Sequence, residues 1–166
     1  METINIEEAG LKEIPTLQSI AEIAFRATYK EILTPGQMEY MMDWMYSTAS
    51  LQQQFADGHR YFIASLDRRP VGYVSIEPQG PQLVHLQKIY VLPSEQGKGI
   101  GARLFRHATD YIRAHYPSPC IMELNVNRHN RAVTFYEHMG MHKDREGDFP
   151  IGEGYYMNDY IMQMTL

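Results

Sequence analysis

Hydrophobic spacing along the chain changes several times, and each change predicts a new element. Residues 3–7 alternate like a short strand. Between residues 11 and 33, Leu17, Ile20, Ala21, Ala24 and Phe25 recur at intervals of three and four, which predicts a helix. Pro35 suits the first turn of a second helix carrying Met38, Met41, Met42 and Met45, and a shorter helix is expected over 51–56, ending at Gly58. Three strand-like runs follow at 61–66, 71–76 and 83–92, with a hairpin turn at 67–70 between the first two. A helix is predicted over 99–115 from Ile100, Leu104, Ala108 and Ile112, and Pro117 and Pro119 lie beyond it. The remainder reads as a strand at 121–126, a helix at 131–138 ended by Gly140, and closing strands at 141–145 and 155–164.

Hairpins interrupted by two interior helices predict an α/β (α+β) fold, with a mixed sheet covered by helices on both faces. A chain of 166 residues fits one domain spanning 1–166, and no repeat or linker divides it. The single cysteine, Cys120, excludes an internal disulfide framework and fits a reducing compartment. The opening METINIEEAG is acidic and lacks the apolar stretch of a secretory signal; no run reaches the length of a membrane span. A cytoplasmic protein without a membrane partner is expected. The net charge of −5 disfavours a nucleic-acid-coating surface and is compatible with a cationic small substrate.

The most informative stretch is KIYVLPSEQGKGIGARLF, residues 88–105. A β-branched and aromatic strand runs into a turn with glycines at 97, 99 and 101, and a helix begins at once. Glycine permits positive φ and close approach of a ligand to the backbone. The first amides of a helix lack intrahelical acceptors and carry the positive end of its dipole, so the turn is suited to a phosphate or pyrophosphate. Lys98 and Arg103 would add positive charge nearby. A plain strand-to-helix connection is the structural alternative. A nucleoside triphosphate loop fails, because the chain holds no GxxxxGK[ST] string. Gly97, Gly99 and Ala102 satisfy the dinucleotide pattern G-x-G-x-x-[GA], with Glu123 near the expected acidic position. That pattern belongs to the first βα turn of a doubly wound sheet, however, and here some eighty residues precede it, leaving too few afterwards.

With Gln96, Gly99 and Gly101 in place, the stretch resembles the Q/R-x-x-G-x-G/A motif of the GNAT superfamily of N-acetyltransferases. A second block, LNVNRHNRAVTFYEHMGM at 124–141, resembles that family's strand–helix segment ending in a tyrosine. Three stretches are similar to PaiA-type spermidine/spermine N-acetyltransferases: AFRATYKEIL, HLQKIYVLPSEQGKGIG and GDFPIGEGYYMNDYIM. The resemblance implies a mostly antiparallel sheet and acetyl-CoA as co-substrate, with no metal. It implies that the main chain of Ile89, Tyr90 and Val91 pairs with the pantetheine arm, and that amides of Gln96, Gly97, Lys98, Gly99, Ile100 and Gly101 hold the pyrophosphate. It places Asn130 near the cofactor arm, although the family's usual asparagine position, three before the alanine, is held here by His129. It sets Tyr136 beside the cofactor sulfur. The acceptor implied is a small-molecule primary amine, such as a polyamine; peptide N-termini, other amines and a non-catalytic CoA-binding module are the alternatives. Dimers are common among such proteins.

Acyl transfer to an amine needs a neutral amine, a polarised thioester carbonyl and a proton for the departing thiolate. An alkylammonium titrates near 10.4, so a base must take its proton at neutral pH. Tyr136 is the candidate general acid, against the alternative of a core aromatic. Strict alternation over 83–92 puts His85, Gln87, Ile89 and Val91 on one face and makes His85 the candidate base, against the alternative of a solvated surface histidine. A main-chain N–H near Val91 is the expected oxyanion donor. The other six histidines show no metal-ligand spacing, and the Met38–Met45 stripe with Trp44 reads as acceptor wall, core or dimer face.

Overall fold

The computed structural model describes residues 3–166. Its strands are β1 (Ile4–Ala9), β2 (Arg60–Leu66), β3 (Arg69–Gly80), β4 (Leu83–Val91), β5 (Ile121–Asn127), β6 (His142–Gly152) and β7 (Tyr155–Thr165). Its helices are α1 (Ile14–Tyr29), α2 (Pro35–Tyr46), α3 (Thr48–Ala56), α4 (Ile100–His115) and α5 (Ala132–His138). The strands form one sheet in the order β1-β2-β3-β4-β5-β7-β6. Among the described residues only β4 and β5 run parallel; every other neighbouring pair is antiparallel.

Local chemistry sets the element boundaries. Thr34 Oγ1 accepts from the Gln37 amide and Pro35 follows, so α2 begins with a capped first turn. Ser47 does the same for α3, accepting from the Ser50 amide. The β2–β3 hairpin closes on Asp67 and Arg68, both at positive φ, and the β6–β7 hairpin closes on Glu153 and Gly154 in the same way. That second hairpin carries β6 through Phe149 and Pro150 to Gly152, well past the predicted end at 145. Pro150 is tolerated because β6 is an edge strand, where a missing amide costs no ladder bond on the open side.

Two apolar layers flank the sheet. Leu104, Phe105, Ala108 and Ile112 of α4 and Val133 and Tyr136 of α5 cover one face with Val74, Ile76, Val84 and Leu86. On the other face, α1, α2 and α3 bury Leu17, Phe25, Met38, Met41, Tyr46 and Leu51 against Tyr61, Ile63 and Tyr73. Trp44 departs from the methionine stripe and is 44% exposed, stacked on Tyr40.

The strict alternation expected for β4 does not hold. Ser75 pairs with Lys88 and Ile76 with Leu86, so Gln87 is an unpaired extra residue, a β-bulge. The bulge reverses the phase. Val84 and Leu86 before it, and Ile89 and Val91 after it, all meet the α4 layer. His85, Lys88 and Tyr90 therefore face the α1–α3 side. His85 stands opposite Ile89 and Val91, not beside them.

Candidate active site

The parallel pair is short. β4 and β5 match only at Leu83–Ile121, Val84–Met122 and His85–Glu123; beyond the bulge the strands part. The gap opens a groove of about 1230 Å³, lined on one wall by residues 86–91 of β4 and on the other by Leu124, Asn125 and Val126 of β5. The end of α1 closes the top with Tyr29, and α5 supplies Phe135 and Tyr136. Through its last residues β4 keeps β3 on one side only, with Val74, Tyr73 and Gly72 opposite Ile89, Tyr90 and Val91. The β5-facing edge is left as a template for an extended ligand.

The glycine turn forms the mouth of this groove. Gly97 and Gly99 take φ of 84° and 78°, the left-handed region, and Gly99 is the N-cap of α4. A Cβ on either would meet nothing within 4 Å, so backbone conformation, not crowding, selects glycine here. Among the described residues, the amides of Gly97, Gly99, Ile100, Gly101 and Ala102 donate to no backbone carbonyl. Five donors at the positive end of a 16-residue helix, facing an open groove, make an anion cradle. Gln96 contributes differently: its Nε2 donates to the Val91 carbonyl at 3.3 Å and ties the turn to the end of β4.

Ten predicted site residues line the groove: Ile89, Tyr90, Val91, Gln96, Gly97, Gly99, Ile100, Gly101, Asn130 and Tyr136. Lys98 and His85 stand outside the lining. The Lys98 ammonium lies 2.8 Å from Glu95, whose carboxyl it holds below the usual range, with Arg69 assisting at 3.4 Å. The positive character of the mouth therefore comes from main-chain amides rather than from this lysine. Asn130 uses its Oδ1 to accept from the Ala132 amide at 2.9 Å, fixing the start of α5, and its Nδ2 donates to Tyr29 Oη at 3.4 Å. Tyr136 is 7% exposed, packed edge-on against Phe135, and burial pushes its phenol well above the ordinary range. It stays a protonated donor throughout the neutral pH range.

His85 is half-buried one residue below the β4 wall. Its Nε2 lies 2.9 Å from Asn125 Oδ1, while its Nδ1 is sealed from solvent and without a partner among the described residues. Asn125 lines the groove, and nothing in a lone strand asparagine announces it from sequence. Lys88 is a second groove residue that the sequence does not mark. It is 7% exposed, donates to Tyr61 Oη at 2.6 Å, Gln54 Oε1 at 3.0 Å and the Met45 carbonyl at 3.4 Å, and lies over the Tyr46 ring at 4.3 Å. Burial lowers its pKa from 10.5 to about 7. Its place inside an apolar-looking strand block hid it.

A mixed sheet split beside a helix N-terminus, with a strand edge leading to a buried tyrosine, defines an acyltransferase-type site for a long, phosphate-bearing donor. Residues 27–150 match the family model for the acetyltransferase (GNAT) domain. The chain belongs to that family, and its enzyme class is acetyl-CoA-dependent N-acetyltransferase. It is similar to an uncharacterized N-acetyltransferase of Lactobacillus delbrueckii subsp. lactis, 23% identical over 175 residues covering 100% of this chain and 99% of the relative. An uncharacterized N-acetyltransferase of Mycobacterium bovis is 28% identical over 152 residues, covering 90% of this chain and 96% of the relative. In fold it is similar to the PaiA N-acetyltransferase of Thermoplasma acidophilum, solved in complex with coenzyme A, at a TM-score of 0.83 and 20% identity. That likeness covers 99% of each chain. The ribosomal-protein-S18-alanine N-acetyltransferase of Escherichia coli superposes at a TM-score of 0.73 with 17% identity, over 98% of this chain and 94% of that one. Among the described residues, no cluster of metal-ligating side chains occurs and no helix is long and apolar enough to cross a membrane.

Proposed function

We propose that the protein transfers an acetyl group from acetyl-CoA to a primary amine of a small cationic molecule of the polyamine class. The observation that carries this reading is the row of amides at Gly97, Gly99, Ile100, Gly101 and Ala102 that, among the described residues, donate to no backbone carbonyl and open onto the groove beside the free edge of β4. Those residues suit coenzyme A: the amides would hold its diphosphate and the main chain of Ile89, Tyr90 and Val91 its amide-bearing arm. Bound there, acetyl-CoA supplies the activated acyl thioester.

The chain's own groups supply the proton chemistry. His85 is the base that takes a proton from the incoming ammonium, relayed through water. The Tyr136 hydroxyl gives a proton to the leaving sulfur, and the second proton that the amine sheds as the amide forms restores the phenol. A main-chain N–H near Val91 donates to the developing negative charge on the carbonyl oxygen. Glu77, Glu123 and Asp159 stand on the same side of the sheet as His85, and the net charge is −5; both favour a cationic acceptor. The resemblance to PaiA-type spermidine/spermine enzymes supports the polyamine class, and a location in the cytoplasm and assembly as a homodimer belong to the same proposal.

Thiol release from acetyl-CoA tests it against a panel of spermidine, spermine, amino acids, aminoglycosides and peptides with free N-termini. Release with polyamines supports the reading. Release only with peptides replaces the acceptor class, and no release with any amine points to a CoA-binding module without catalysis.

A further inference from the structure

We propose that Tyr29 is a further catalytic residue, whose hydroxyl donates a hydrogen bond to the thioester carbonyl oxygen of acetyl-CoA. The inference rests on acetyl-CoA occupying the groove and is independent of which amine receives the acetyl group. Tyr29 ends α1, keeps 9% of its surface exposed and lines the groove together with Tyr90 of β4, Asn130 before α5 and Tyr136 of α5. Its ring packs against Phe25, with centroids 4.7 Å apart.

A hydrogen count over this cluster leaves one donor over. Asn130 Oδ1 accepts from the Ala132 amide at 2.9 Å, so the side chain turns its Nδ2 to Tyr29 Oη, 3.4 Å away. A side-chain amide nitrogen only donates, which makes Tyr29 the acceptor in that contact. The Tyr29 and Tyr90 hydroxyls are also bonded to each other. Burial raises both phenols, while their mutual bond lowers Tyr29 and raises Tyr90, the directions expected when Tyr90 donates and Tyr29 accepts. Tyr29 Oη thus receives two hydrogens and still carries its own. Among the described residues no side chain or carbonyl takes that hydrogen. A polar hydrogen on a nearly buried group is costly without an acceptor, and the groove's occupant is what can bring one.

The chemistry of the occupants narrows the choice. An incoming ammonium only donates and cannot take the hydrogen. The main chain of Ile89, Tyr90 and Val91 serves the amides of the cofactor arm, and Tyr136 serves the sulfur. Burial, and after it the neighbouring Tyr29, raise the Tyr136 phenol, so the two hydroxyls stand close together. The thioester carbonyl is bonded to that sulfur, and its oxygen is the acceptor left for a donor beside Tyr136. Burial keeps Tyr29 protonated at neutral pH, and with both lone pairs filled it cannot act as a base. Its part is to orient and polarise the carbonyl alongside the N–H near Val91.

Infrared difference spectra of acetyl-CoA carrying ¹³C at the acetyl carbonyl, bound with no amine present, read this hydrogen bond directly. Tyr29→Phe keeps the ring against Phe25 and removes only the hydroxyl, so the carbonyl band is expected to move to higher frequency than in the native protein. By calorimetry, acetyl-CoA should bind about three- to tenfold more weakly to Tyr29→Phe, whereas coenzyme A, which lacks the carbonyl, should bind as it does to the native chain. Tyr90→Phe is expected to keep the native band. With spermidine as acceptor, kcat of Tyr29→Phe should fall at least about tenfold. An unmoved band in Tyr29→Phe overturns the proposal, and so does an equal loss of affinity for acetyl-CoA and coenzyme A, which would leave Tyr29 as a bridge between Tyr90 and Asn130. A band that moves in Tyr90→Phe and not in Tyr29→Phe gives the hydrogen to Tyr90 and overturns it as well. A native protein that binds neither form of the cofactor fells the reading of the groove itself, and with it this one.

Discussion

Replacing Lys88 by methionine changes how stability responds to pH. The native ammonium sits among Tyr46, Tyr61 and Gln54 with no carboxylate partner described, and burial lowers its pKa from 10.5 to about 7. Between those values the unfolded chain binds a proton that the folded chain does not, so stability rises with pH across the interval. At ~1.4 kcal/mol per pH unit for a fully differential proton, and half of that at the folded pKa, the rise from pH 7 to pH 9 is ~2 kcal/mol. Above that range the buried phenols of Tyr46, Tyr73 and Tyr90 act oppositely. Burial raises them, so their contribution is present below 10.0 and lost at higher pH, which confines the test to pH 7–9. Methionine matches the shape of the lysine stem and carries no titrating group, so Lys88→Met is expected to lose the rise whatever its constant effect on stability. Urea unfolding of both proteins at pH 7, 8 and 9 measures it: between pH 7 and pH 9 the stability of the native chain relative to the variant should rise by ~2 kcal/mol. Parallel pH dependences for the two proteins refute the argument and place the ammonium in a solvated or compensated setting.

The remaining predictions concern the groove. Tyr136→Phe keeps the ring packed against Phe135 and removes the proton donor, so kcat is expected to fall at least ~10-fold with little change in acetyl-CoA binding; native kcat removes the acid role. Gly99→Val forces a β-branched residue into φ of 78°, and is expected to cost ~1–2 kcal/mol of stability and weaken CoA binding about tenfold, read by unfolding and by calorimetry. Glu95→Gln removes one negative charge beside Lys98 and Arg69 at the mouth; CoA binding should tighten and become more salt-dependent.

Much of this architecture was legible because local chemistry and tertiary packing agree. The amphipathic period of Ile100, Leu104, Ala108 and Ile112 survives as the buried face of α4, and the glycines at 97 and 99 take the positive φ their spacing promised. The bulge at Gln87 was not legible: no glycine or proline marks it, and the register with β3 alone creates it. One unannounced residue therefore set His85 apart from Ile89 and Val91. Lys88 and Asn125 were hidden for a related reason. Their roles come from partners 27 to 43 residues away along the chain, such as Tyr61 and Met45 for the lysine and Asp159 and His85 for the asparagine. β6 runs past the expected end at 145 because an edge position and a closing turn of positive φ accommodate its proline and glycines.

The central claim is that the amides of residues 97–102 grip a diphosphate, and titration of the ¹⁵N-labelled protein with coenzyme A addresses it most directly. Saturable shifts at Gly97, Gly99, Ile100 and Gly101, with companion shifts at Ile89, Tyr90 and Val91, are the predicted result. Saturating coenzyme A that leaves these amides unmoved, or binds while shifting only residues elsewhere on the sheet, contradicts the account.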